Sequence, residues 1–101
     1  AAIAAVRVTD TIKEGEAEER IGTPTVVRTL DRSRLWAIQT PQAFPADVLR
    51  RALDTGDLAA ATDDASLVEA MGGKIRVVEA PRENFKVTSR VDLLLAESLL
   101  C

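Results

Sequence analysis

The stretch Leu35-Trp36-Ala37-Ile38-Gln39-Thr40-Pro41-Gln42-Ala43-Phe44-Pro45 (LWAIQTPQAFP) marks the turning point of the chain. Its apolar half, with the single tryptophan, reads as a core strand over 34–39, and the uncharged polar residues and two prolines that follow stop it abruptly. Pro45 stands where the first turn of a helix accepts proline without losing a hydrogen bond. Val48, Leu49, Ala52 and Leu53 then recur at helical spacing, and Gly56 is a plausible stop. A core strand that runs through a short polar loop into a helix points to an α/β layer.

Upstream, Ile3 to Val8 is apolar and partly β-branched, so it predicts a first strand ended by Thr9-Asp10-Thr11. A turn-rich acidic block, Glu14 to Arg20, then separates Ile12-Lys13 from the β-prone run Thr25 to Leu30. This predicts a long hairpin, which carries few large apolar residues and has to lie against another surface. Downstream, Thr62-Asp63-Asp64 offers an N-cap and first-turn acids for a second helix with Leu67, Val68 and Met71 on one face and Gly72-Gly73 as its stop. Lys74 to Glu79 predicts a strand, Phe85-Lys86-Val87 a short one, and Ser89 with Asp92 a capping box that opens a last, leucine-rich helix. All of this fits within one domain, residues 1–101.

Composition removes several functions. With 47 % hydrophobic and 29 % charged residues the chain is not wholly disordered. The net charge of −3, drawn mostly from Glu14, Glu16, Glu18 and Glu19, leaves no basic face for nucleic acid. One cysteine, Cys101, and no histidine exclude an internal disulfide, Cys/His zinc sites and histidine-based nucleophilic catalysis, and they fit a cytoplasmic location. The apolar run Val91 to Leu100 is interrupted by Asp92 and Glu97 and falls short of the roughly 18 residues of a membrane span. The chain opens at Ala1 already strand-like and without methionine, which reads as a piece of a longer protein.

In open α/β sheets ligands collect beyond the carboxyl ends of strands, where loops and helix N-termini bring free N–H groups together. Thr11, Thr40, Thr62 and Lys86 fall at such places. Hydroxyls, amides and one ammonium suit a phosphate, because each donates to its oxygens and lysine adds charge. Each residue also has an ordinary structural role: Thr40 as a turn residue before proline, Thr62 as a plain N-cap, Lys86 as a solvated cation, and Arg32 as a turn arginine. Asp63 and Asp64 read as cap and dipole-complementing acids, and Trp36 as core.

The strings are more specific than their physics. Val8-Thr9-Asp10-Thr11-Ile12-Lys13, Leu30-Asp31-Arg32-Ser33-Arg34-Leu35-Trp36, Gln39-Thr40-Pro41-Gln42-Ala43-Phe44, Thr62-Asp63-Asp64-Ala65-Ser66 with Glu69 and Gly72-Gly73, and Asn84-Phe85-Lys86-Val87-Thr88 with Asp92-Leu93 occur in this order. From first residue to last the chain resembles the 2-C-methyl-D-erythritol 4-phosphate cytidylyltransferase family. The resemblance implies the C-terminal part of a Rossmann-like nucleotidyltransferase three-layer sheet with a protruding β-arm, at about residues 10–34. It implies transfer of a cytidylyl group from CTP to methylerythritol phosphate with release of pyrophosphate, assisted by Mg²⁺ held mainly by CTP and by the family's N-terminal half. Thr11 and Arg32 would lie on an arm that reaches the neighbouring subunit of a homodimer, with Arg32 positioning the substrate phosphate. Thr40, Thr62 and Lys86 would contact that substrate within one subunit, Lys86 as the second phosphate-positioning cation.

The chain departs from the family where Arg90 and Val91 replace a common proline and acid, which questions the start of the last helix. Two other functions fit the same strings. A cytidylyltransferase for ribitol or a similar polyol phosphate would share the Thr-Pro-Gln and Lys-Val-Thr strings, although Trp36 and Asp64-Ala65-Ser66 resemble the methylerythritol branch more closely. A non-catalytic dimerisation fragment would use the arm alone.

Overall fold

The computed structural model describes residues 1–100. The elements run β1 (Ala2–Arg7), β2 (Lys13–Glu16), β3 (Thr25–Thr29), a 3₁₀ turn (Arg32–Arg34), β4 (Trp36–Ala43), α1 (Ala46–Thr55), α2 (Asp64–Ala70), β5 (Arg76–Glu79) and α3 (Arg90–Leu100). They fall into two units, one formed by Ala1–Val6 with the residues from Ile38 onward, the other by Arg7–Ala37.

The first unit is built on a sheet of order β4-β1-β5. β1 and β5 pair in parallel, with Ala2 opposite Arg76 and Ala5 opposite Glu79. Parallel neighbours need a long crossover rather than a tight turn. The middle strand accordingly buries Ile3 and Ala5. α1 and α2 contribute Ala52, Leu67 and Val68 to a small core that Phe44, Val48, Ala61 and Ile75 close. Gly56 makes the close approach of the two helices possible, because a Cβ there would stand 2.6 Å from both the Ala52 carbonyl oxygen and Leu67 Cδ2.

α2 is short but stopped at both ends. Asp63 accepts the Ser66 main-chain N–H at 2.8 Å in a capping box. At the other end Gly73 N–H donates to the Val68 carbonyl at 3.0 Å and Gly72 N–H to that of Glu69 at 2.9 Å. This is a Schellman closure, and Gly72 supplies its left-handed residue at φ +84°. α3 starts at Arg90 despite the atypical first turn, because Ser89 and Asp92 cap it reciprocally. No residue of α3 is buried, and Leu94 is 58 % exposed.

The second unit contains the antiparallel ribbon of β2 and β3, with Lys13 opposite Thr29 and Glu14 opposite Arg28. The register slips between Glu14 and Gly15, where one strand carries an extra residue. Lys13 Nζ donates to Thr29 Oγ1 at 2.9 Å, and Arg28 pairs with Glu14. Every residue of both strands is exposed. No helix among the described residues is long and apolar enough to cross a membrane.

Four expectations change. β4 runs through the supposed loop to Ala43, so Thr40 lies inside a strand; β4 stands at an end of its sheet, where the missing N–H of Pro41 costs least. Phe85–Val87 joins no ladder among the described residues, because side chains, not ladder bonds, tie the preceding turn to β4. The N-cap of α2 is Asp63, not Thr62, since the carboxylate reaches the Ser66 amide. Trp36 is only half-buried, with the Arg7 guanidinium 4.6 Å from the centre of its ring.

Candidate functional site

In β4 the half-buried positions recur every third residue, at Trp36, Gln39 and Gln42. A half-buried amide needs partners, and both glutamines have them. Gln42 Nε2 donates to Asp63 Oδ2 at 3.0 Å, which holds the N-cap of α2 against the strand. Thr62 stands next to that cap, exposed, with its hydroxyl released from capping by Asp63.

Gln39 holds a different segment. Its Nε2 donates to the Pro81 carbonyl at 3.2 Å, and its Oε1 accepts from Asn84 Nδ2 at 3.2 Å. The same Asn84 nitrogen donates to the main-chain carbonyl of Thr40 at 2.7 Å. A turn closed by Asn84 N–H on the Pro81 carbonyl at 3.1 Å completes the arrangement, and Lys86 follows it by two residues. The chain segments that carry Thr62 and Lys86 are thus tied to β4 around Thr40, and all three residues are exposed.

Thr11 and Arg32 belong to the other unit. Thr11 is exposed two residues before the first residue of β2. Arg32 opens the 3₁₀ turn, and its Nη1 donates to the Thr9 carbonyl at 2.7 Å. Asp31 caps the turn by accepting Ser33 Oγ at 2.6 Å and Ser33 N–H at 3.1 Å. These bonds, the side-chain one foremost, hold its carboxyl below the usual carboxylate range. A guanidinium has five N–H donors, and the Thr9 carbonyl engages one nitrogen, so the fork retains donors for an anion.

Residue patterning singles out the threonines and Lys86 and lets the glutamines flanking Pro41 fix the path of that stretch, but it gives Asn84 no role as a support. No group of three or more His, Cys, Asp or Glu side chains among the described residues converges as a metal site would require.

The α/β fold is that of nucleotidyltransferases, shared with solved structures. The chain superposes on the 2-C-methyl-D-erythritol 4-phosphate cytidylyltransferase of Francisella tularensis with a TM-score of 0.78 at 35 % identity, covering 96 % of this chain and 44 % of that one. For the Thermus thermophilus enzyme of the same name the TM-score is 0.75 at 35 % identity, with 97 % and 46 % covered. The sequence model of the family 2-C-methyl-D-erythritol 4-phosphate cytidylyltransferase (IspD) matches residues 1–101, and the chain belongs to that family. A relative of that name from Rubrobacter xylanophilus is 52 % identical over 101 residues, 98 % of this chain and 41 % of its own length. Another, from Geobacillus kaustophilus, is 45 % identical over 102 residues, 99 % and 42 %. The chain therefore spans about two fifths of the length of the curated relatives it matches.

Proposed function

We propose that this chain supplies the polyol-phosphate site of an enzyme that transfers a cytidylyl group from CTP to 2-C-methyl-D-erythritol 4-phosphate. The observation that carries this reading is the gathering of the Thr40, Thr62 and Lys86 segments around β4 by Gln39, Gln42 and Asn84, in a chain that matches the family throughout. The two hydroxyls and the Lys86 ammonium would hold the substrate phosphate so that one of its oxygens attacks the α-phosphorus of CTP as pyrophosphate departs. Such a reaction needs no covalent enzyme intermediate, and positioning with charge stabilisation suffices.

Among the described residues no three His, Cys, Asp or Glu side chains converge to cage a metal ion. The ion the family resemblance implies would be held mainly by the triphosphate and by residues outside this chain. Thr11 and Arg32 would serve from the arm of a second subunit. The full exposure of β2 and β3, with Val26 and Val27 among their residues, supports that arrangement, since a two-stranded ribbon is marginal alone. The reading takes the location to be cytoplasmic.

The test uses a protein of the relatives' length that contains this chain, called the full-length enzyme below. Pyrophosphate release is measured with CTP and either methylerythritol phosphate or ribitol phosphate. Preference for the former is expected, and none from this chain alone; preference for ribitol phosphate would transfer the reading to the polyol relative.

A further inference from the structure

The amides of Gln39, within β4, and Asn84, in the turn after β5, are oriented by main-chain carbonyls, and this gives them more than a packing role. Gln39 Nε2 faces the Pro81 carbonyl and Asn84 Nδ2 faces the Thr40 carbonyl. Turning either amide over would set oxygen against oxygen, so each is held in one orientation. That orientation in turn matches Gln39 Oε1 to the remaining donor capacity of Asn84 Nδ2 at 3.2 Å. The result is a closed ring that joins a strand to a turn across more than forty sequence positions.

Resting on the substrate reading above, we propose that Gln39 and Asn84 are positioning residues, a clamp that sets the separation between the Thr40 hydroxyl and the Lys86 ammonium and so tunes affinity for the polyol phosphate. Two facts connect the clamp to the ligand. Asn84 grips the main chain of Thr40 itself rather than a neighbouring residue, and it leads into Lys86 after a single intervening residue, Phe85, which is half-buried and limits the slack of that link. Lys86 and Thr40 are both exposed, so neither has burial to fix it. A flexible ammonium gains affinity for a phosphate when the backbone that carries it is held beforehand. The clamp holds segments that the substrate reading assigns to the polyol phosphate, so its loss should act on that substrate.

The full-length enzyme is compared with Asn84→Ala, Gln39→Met and the double variant. Gln39→Met keeps length and packing while removing both hydrogen bonds of the amide, so it remains informative if Asn84→Ala folds poorly. Each single variant is expected to raise KM for methylerythritol phosphate about tenfold, the scale of one or two lost hydrogen bonds, with KM for CTP within about twofold. The double variant should be no worse than the poorer single, because both break one ring. Unchanged KM for the polyol phosphate, or equal shifts for both substrates, would overturn the clamp. Lack of turnover by the unsubstituted enzyme would instead count against the substrate reading, so the two fail separately.

Discussion

Gln42 and Asp63 are joined by a 3.0 Å hydrogen bond in which the strand amide takes one carboxylate oxygen while the other oxygen caps α2 through the Ser66 N–H at 2.8 Å. One side chain therefore both starts a helix and fastens it to β4. Thr62, immediately before it, inherits its place from that double use.

Replacing Asp63 should separate the two tasks. Asp63→Ala removes the cap and is expected to cost the full-length enzyme about 1 kcal/mol in urea unfolding. Asp63→Asn keeps one oxygen for the cap but sets its NH2 against that of Gln42, so it should lose only the strand tie and fall between the parent and Asp63→Ala. Equal losses for both variants would show that the tie to Gln42, rather than the cap, carries the stability.

Arg32→Ala should lower kcat/KM for methylerythritol phosphate by about tenfold to a hundredfold, the worth of one ionic hydrogen bond. KM for CTP should hardly move. Arg32→Lys should recover only part of the loss, because an ammonium lacks the planar fork that meets phosphate with two donors. If Arg32→Ala leaves kcat/KM unchanged, its guanidinium serves only to hold the Thr9 carbonyl.

Acid should loosen the start of α3. The Asp92 carboxyl is held below its ordinary value of 3.8, first by the Thr88 N–H, then by the Thr88 hydroxyl and by Ser89. A carboxyl whose folded pKa is lowered adds stability above its unfolded value and loses it as pH falls through the folded one. Asp92→Asn should therefore flatten the fall in stability below pH 3.8, read from urea midpoints at pH 7 and pH 3. Parallel curves for parent and variant would remove Asp92 from the acid response.

Much of this was legible in the residues. Gly56 and Gly72-Gly73 stand where the helices stop, and the helical spacing that includes Val48 and Ala52 gives the inward face of α1, all local properties of a few neighbouring residues. Leu53, at the same spacing, is instead 41 % exposed. Thr62 and Asp63 both read as caps because threonine and aspartate are both good caps, and only the geometry of the Ser66 amide chooses Asp63. Reading the residues after Gln39 as a loop failed because proline forbids a ladder bond, and the sequence does not tell which side of a strand lacks a neighbour.

By itself the sequence determined the α/β class, the family and the threonines and cations worth testing, because periodicity, capping and motif order are written along the chain. Only the tertiary structure decided that Gln39, Gln42 and Asn84 bind those residues' segments into one place. Their partners lie 42, 21 and 44 positions away, and no local pattern specifies which distant carbonyl or carboxylate an amide will meet.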